Sequence, residues 1–221
     1  MLTVSQKNST PLTTKPQSVQ FGCGLCAPSQ WLNFDSSPAL RLQKLPIIGN
    51  LIPSGPFGRY PQNVKYGDIV KGLPIAKESV DFLYCSHIFE HLTLNELRIS
   101  LQNCYQYLKP GGIFRFVLPD LEFMARQYVN STSADAALEF MRVTWLGKEN
   151  RQHDLFAFLK EWLSCTQHLW MWDYKSLSLE LENVGFKEIR RAYLADSGIS
   201  VFSEVEDPQR WENELGIQCS K

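Results

Sequence analysis

Apolar positions in this chain follow two periods. Short runs with strand character occupy residues 18–22 (SVQFG), 31–35 (WLNFD), 80–85 (VDFLYC) and 113–118 (IFRFVL), each flanked by turn-forming residues. Helical spacing is clearest after Thr93-x-x-Glu96, which matches a capping box. There, Leu94, Leu97, Leu101, Cys104, Tyr105 and Leu108 make one apolar stripe. Lys109-Pro110-Gly111-Gly112 ends it, because proline resists continuing a helix and glycine accepts the left-handed turn. Alternating strands and helices predict a mainly parallel sheet covered by helices.

Beyond residue 119 the strand signal disappears until 186. Helices are expected at 120–130, 134–146 and 154–164, each opening near Asp or Ser, in a block rich in large aromatics that includes Trp145, Trp162, Trp170 and Trp172. A helix at 174–184 ends at Gly185, and strands follow at 186–193 and 215–219. Residues 36–66, with five prolines, read as an irregular insertion. The Ser/Thr/Pro-rich start reads as a flexible tail over 1–18, followed by one domain over 19–221 whose residues 119–172 form a helical cap.

Composition narrows the partners. With 221 residues and a net charge of −1, the chain has no global attraction for nucleic acid or anionic lipid. No apolar run approaches the ~18–20 residues that span a bilayer, and the N-terminus lacks the apolar stretch of a secretion signal. A cytoplasmic protein without membrane insertion is expected. Six cysteines are present, but only Cys23-x-x-Cys26 is a close pair; a structural zinc site needs more ligands at short spacing. No metal is expected.

Candidate chemistry clusters where strands end. Phe21-Gly22-Cys23-Gly24 follows the first strand, and paired glycines let a ligand approach the backbone. Asp35 ends the second strand, where a carboxylate can accept from ribose hydroxyls. Asp68 can accept from an adenine amine with Ile69 against the base, or can simply hold a turn. Ser86 and His87 leave the strand at 80–85 on the same edge, followed by Glu90 and His91.

Taken together, FGCG, WLNFD, YGDIVKGLP, YCSHIFEHL and LKPGGIFRFVLPDLE resemble, in order, the motifs of class I S-adenosylmethionine-dependent methyltransferases. The resemblance is closest to the small bacterial methyltransferase type 11-like group. HLWMWDYKSLSLELENVGFKEI and RWENEL resemble the end of that domain, so the likeness spans residues 19–219. The chain departs from the usual glycine motif by Gln20 in place of an acid and Cys26 in place of a third glycine. Residues 25–30 are also too few for the usual first helix.

The resemblance implies a Rossmann-like α/β fold: a mainly parallel seven-stranded sheet with helices on both faces and a helical cap. It implies S-adenosylmethionine as cofactor, bordered by Phe21, Gly22, Cys23, Gly24, Asp35, Asp68, Ile69, Ser86 and His87. His87 is the first candidate base and Asp120 the second, although Asp120 can equally cap the next helix. Glu90, His168 and Trp172 are candidates for contacting a small-molecule or glycan-type acceptor. Two other functions stay open: a non-catalytic module that binds S-adenosylmethionine or a partner protein without transferring methyl, and a nicotinamide-dependent oxidoreductase suggested by Tyr105-x-x-x-Lys109. A nucleic-acid substrate is not expected, and oligomeric state is left open.

Overall fold

A computed structural model describes residues 17–46, 58–149 and 167–221. Seven strands form one sheet: β1 (Ser18–Phe21), β2 (Trp31–Asp35), β3 (Val64–Tyr66), β4 (Val80–Ser86), β5 (Leu108–Pro119), β6 (Lys187–Ala192) and β7 (Glu214–Ser220). Their order is β3-β2-β1-β4-β5-β7-β6. All neighbouring pairs from β3 through β5 are parallel; β7 runs antiparallel to both β5 and β6. The order reverses between β1 and β4, and ligands bind at such switch points, beyond the carboxyl ends of the strands.

Period-two alternation gives the two faces different cores. Phe21, Phe34, Leu83, Cys85, Phe114, Phe116, Leu215 and Ile217 point to one face. There they meet Leu97, Leu101 and Cys104 of helix α2 (Leu94–Tyr107) and Leu177 and Leu181 of helix α5 (Tyr174–Val184). Both halves of the Thr93/Glu96 capping box form, and Gly185 ends α5 with φ of 112°. These elements fall where the sequence predicts them.

The opposite face is covered differently. The β1–β2 connection is too short for a helix and contains none. Gln20, in the place of the motif acid, clamps that turn by donating to Cys26 O (2.8 Å) and Asn33 Oδ1 (2.6 Å). Over this face lie two 3₁₀ turns from the chain's end, Ser200–Glu204 and Pro208–Arg210. Phe202, Val205 and Trp211 pack there on Trp31, Tyr84 and Val117.

Arg115, fully buried in the central strand β5, holds that covering in place. It pairs with Glu206 and with Asp196 (2.8 Å), donates to Tyr193 O (2.6 Å), and stacks on Trp211 at 4.6 Å. Such planar, multidentate pairing is what a guanidinium does better than an ammonium.

Three expectations change. The 36–66 insertion is not wholly irregular: it holds helix α1 (Pro38–Gln43), capped by the Ser37 hydroxyl, and the edge strand β3. Lys109–Gly112 is not a free turn. β5 begins at Leu108 opposite Val80 and resumes at Ile113 opposite Phe82, so these residues form a bulge, and Gly111 N donates to Lys221 O (2.9 Å). The cap shows α3 (Leu121–Asn130) and α4 (Ala136–Val143); the helix expected at 154–164 and most of the tail lie outside the described residues.

Arg115→Ala is expected to cost about 3–5 kcal/mol of unfolding free energy, because it strands buried Glu206 without its partner. Denaturant titration checks this, and a loss under about 1 kcal/mol would contradict the clamp. Arg115→Met combined with Glu206→Gln should recover much of the loss, since a neutral pair avoids the stranded charge.

Candidate active site

The carboxyl ends of β1, β2 and β4 bring Gly22–Gly24, Asp35 and Ser86–His87 to one edge of the sheet. Gly22 and Gly24 both have positive φ, 64° and 54°. A Cβ on Gly22 would strike Ile88 Cδ1 at 1.9 Å, whereas a Cβ on Gly24 would meet nothing within 4 Å. The turn is therefore closed on the Ile88 side and open at Gly24. Asp35 fixes its shape: its carboxylate accepts from Gly24 N (2.9 Å) and Ser37 N (2.7 Å), with the Tyr60 hydroxyl at 3.4 Å. A carboxylate has about four lone-pair sites, so acceptor capacity remains for a ligand.

The other cofactor candidates sit less openly. Phe21 is a core residue, and Cys23 is buried beside Leu40 and Val64. Asp68 accepts from Val70 N (3.0 Å) and pairs with Lys71 (3.2 Å), holding a turn, while Ile69 packs into the main core. Cys23 and Cys26 are both free thiols. Burial, aided by the Asp35 charge, pushes the Cys23 thiol up to about 12, and burial also raises Cys26.

Past the carboxyl end of β4 lies a cavity of about 330 Å³ lined in part by His87, Glu90, His168, Trp145, Arg210 and Glu214. His87 holds a left-handed φ of 54° while its amide donates to Val117 O (2.9 Å). Such strain in a non-glycine residue persists only where neighbours fix it. His87 Nδ1 lies 3.2 Å from Glu90 Oε1, and Nε2 lies 3.2 Å from Arg210 O. Burial lowers the His87 pKa, but the adjoining Glu90 carboxylate outweighs it and leaves it raised. Both ring nitrogens of the first candidate base therefore face acceptors in this arrangement.

Asp120, the second candidate, is committed elsewhere. Its Oδ1 caps α3 by accepting from Glu122 N and Phe123 N, and Oδ2 pairs with Arg191 at 3.0 Å. It does not line the cavity. Trp172 is likewise corrected: it is 3% exposed in the main core, where it cannot contact an acceptor. Glu90 and His168 do line the cavity, and each is deeply buried.

Arg210 and Glu214 were missed by sequence reasoning. Arg210 Nη1 donates to Ser86 O and Oγ, both at 3.2 Å, across 124 positions of chain. Burial raises the Glu214 pKa, countered in part by the charge of His87. The only sequence signal was the RWENEL segment that contains both.

Residues 19–116 match the family model for a methyltransferase domain. The matched stretch runs from β1 into β5, through the parallel part of the sheet and its switch point. Among solved structures, it is similar to S-adenosylmethionine-dependent methyltransferases from Mesorhizobium loti (18% identity, TM-score 0.47, covering 93% of this chain and 90% of that one) and Archaeoglobus fulgidus (14%, 0.47, 93% and 86%). A methyltransferase from Thermotoga maritima gives 16% identity and a TM-score of 0.48 over 95% and 84%. No curated protein matches at the sequence level. No helix among the described residues is long and apolar enough to cross a membrane.

Thiol reactivity distinguishes this cysteine pair from a redox centre. At pH 8, Cys26, the exposed one, is expected to take up iodoacetamide slowly, and Cys23, Cys85 and Cys104 more slowly still, because raised pKa values leave little thiolate. Peptide mass spectrometry reads the order; fast modification of Cys23 would contradict it.

Proposed function

We propose that the chain transfers a methyl group from S-adenosylmethionine to a small-molecule or glycan-type acceptor held in the cavity beside His87. The observation that carries this reading is the open position at Gly24, next to a carboxylate with spare acceptor capacity and on the same sheet edge as His87, which lines a polar cavity. Gly22, Cys23 and Gly24 would border the cofactor's amino-acid and sugar portions, Asp35 its ribose, and Asp68 with Ile69 its adenine.

S-adenosylmethionine supplies a methyl carbon bonded to positively charged sulfur. An acceptor lone pair forms the new bond to that carbon as the sulfur–carbon pair returns to sulfur, giving a neutral thioether. The protein's part is alignment and exclusion of water. Ser86, tied to Arg210, and His87, tied to Glu90, form a rigid wall between the cofactor side and the cavity. Trp145, half exposed at the cavity, offers a flat apolar face beside carboxylates and imidazoles, a pairing suited to a polyhydroxylated ring. Buried free thiols at Cys85, Cys104 and Cys219 act as small core hydrophobes, which suits the reducing cytoplasm.

Ile88 against Gly22 and the loss of the motif acid at Gln20 favour one second reading, binding without transfer. Formation of S-adenosylhomocysteine in the presence of candidate acceptors separates the two.

Calorimetry should show saturable micromolar binding of S-adenosylmethionine. Gly24→Ala adds a Cβ with no protein atom within 4 Å, so it is expected to keep the fold, at a cost of about 1–2 kcal/mol for the left-handed backbone, and to abolish binding. Asp35→Ala should weaken binding at least tenfold, as a charged hydrogen bond contributes about 1.5–3 kcal/mol. Unchanged affinity in both variants would overturn the cofactor site.

A further inference from the structure

One cluster in the cavity wall is left unexplained by methyl transfer alone. Glu90 is 1% exposed, and neither of its carboxylate oxygens accepts a well-aligned hydrogen bond. The nearest side-chain groups recorded against it are the ring nitrogens of His87 (3.2 Å) and His91 (3.9 Å). Leaving a buried carboxylate in that state is costly.

Two imidazoles face it with lone pairs. His91 Nδ1 lies 3.0 Å from Gln167 O, so Nδ1 carries the proton and donates to that carbonyl. Its Nε2 is then the unprotonated nitrogen, and it is the one turned toward Glu90. His168 is 8% exposed with Nδ1 unpartnered. The two rings stand 5.0 Å apart, centroid to centroid. One donor atom from each of Glu90, His91 and His168 falls within 4.8 Å of the others.

We propose that Glu90, His91 and His168 bind a divalent transition-metal ion at the cavity wall. Two neutral imidazoles and a carboxylate suit zinc, cobalt, manganese or ferrous ions, and disfavour magnesium and calcium, which take all-oxygen sets. A metal with ligands at about 2.1 Å needs donor atoms roughly 3.4 Å apart in tetrahedral geometry, so the three side chains close in by about 1 Å. The backing already present is that of a metal site. The second nitrogen of a ligating histidine characteristically donates to a carbonyl, as His91 does to Gln167 O. Glu90 O also accepts from Leu169 N (2.7 Å) and Trp170 N (3.2 Å), which fastens the segment carrying His168 to the turn carrying Glu90 and His91.

Three protein ligands facing a cavity leave coordination positions for another molecule. Its role there rests on the methyltransferase reading. An acceptor hydroxyl bound to the ion would release its proton to water at lower pH, and the resulting oxygen would use its lone pair to bond the methyl carbon as the sulfur–carbon pair returns to sulfur. This supplies an activated nucleophile where the ring nitrogens of His87 and the carboxylate of Asp120 are already engaged.

The test is calorimetric titration of chelator-treated full-length protein with Zn²⁺ and with Co²⁺, plus the visible spectrum of the Co²⁺ form. One-to-one binding is expected, with a cobalt band intensity typical of fewer than six ligands. His168→Gln, His91→Asn and Glu90→Gln should each weaken binding at least 100-fold. S-adenosylhomocysteine binding to His168→Gln and His91→Asn should match the parent, which certifies their fold. Absence of saturable binding, affinity unchanged in those variants, or preference for Mg²⁺ over Co²⁺ would overturn the proposal. Metal binding without adenosyl binding would uphold this site while contradicting the proposed activity; adenosyl binding without metal would do the reverse.

Discussion

A fully buried guanidinium in the central strand governs how the second half of this molecule is arranged. The β1–β2 connection has no room for a helix, so one sheet face would be left bare. The chain's end fills it, and Arg115 fixes that end through Glu206, Asp196, Tyr193 and Trp211. Breaking one side of such a pair strands the other in a low-dielectric interior, so the covering segment and the strand are held as one unit. The same segment continues to Arg210 and Glu214. The clamp that completes the core thus also delivers two residues to the cavity.

At the sheet edge, charged and titratable groups pack against one another. His87 sits between Glu90 and the Arg210 carbonyl, Arg210 holds Ser86, and Glu214 adds a buried carboxyl. Burial and mutual charge set the pKa directions of His87, His168 and Glu214, a pattern that concentrates at functional sites. The glycine turn is different in character: it is shaped by Asp35 and left open at Gly24. On the proposed function, this geometry would align one ligand in the turn with another in the cavity.

The parts of the fold that were legible in the sequence are those in which a local signal and burial agree. WLNFD alternates and is a strand over those same residues; the Thr93/Glu96 box opens α2; Gly185 closes α5. β3 escaped because it has three residues and one buried side chain, Val64, too short for any period to show. α1 was hidden under a proline count, although Ser37 before Pro38 is a readable helix start. Asp120 and Trp172 were misjudged because capping and core packing leave the same residue types at the same positions as catalysis and binding. Arg210, Glu214 and the meeting of His91 with His168 depend on topology across much of the chain, and nothing local announces them.

The most direct test of the account is a crystal structure of the protein soaked or grown with S-adenosylhomocysteine. The account predicts the ligand at the carboxyl ends of β1 and β2, its backbone approach over Gly24, its ribose hydroxyls on Asp35, and its sulfur turned toward His87 and the cavity. A ligand bound elsewhere, or a glycine turn left vacant at saturating concentration, would contradict it.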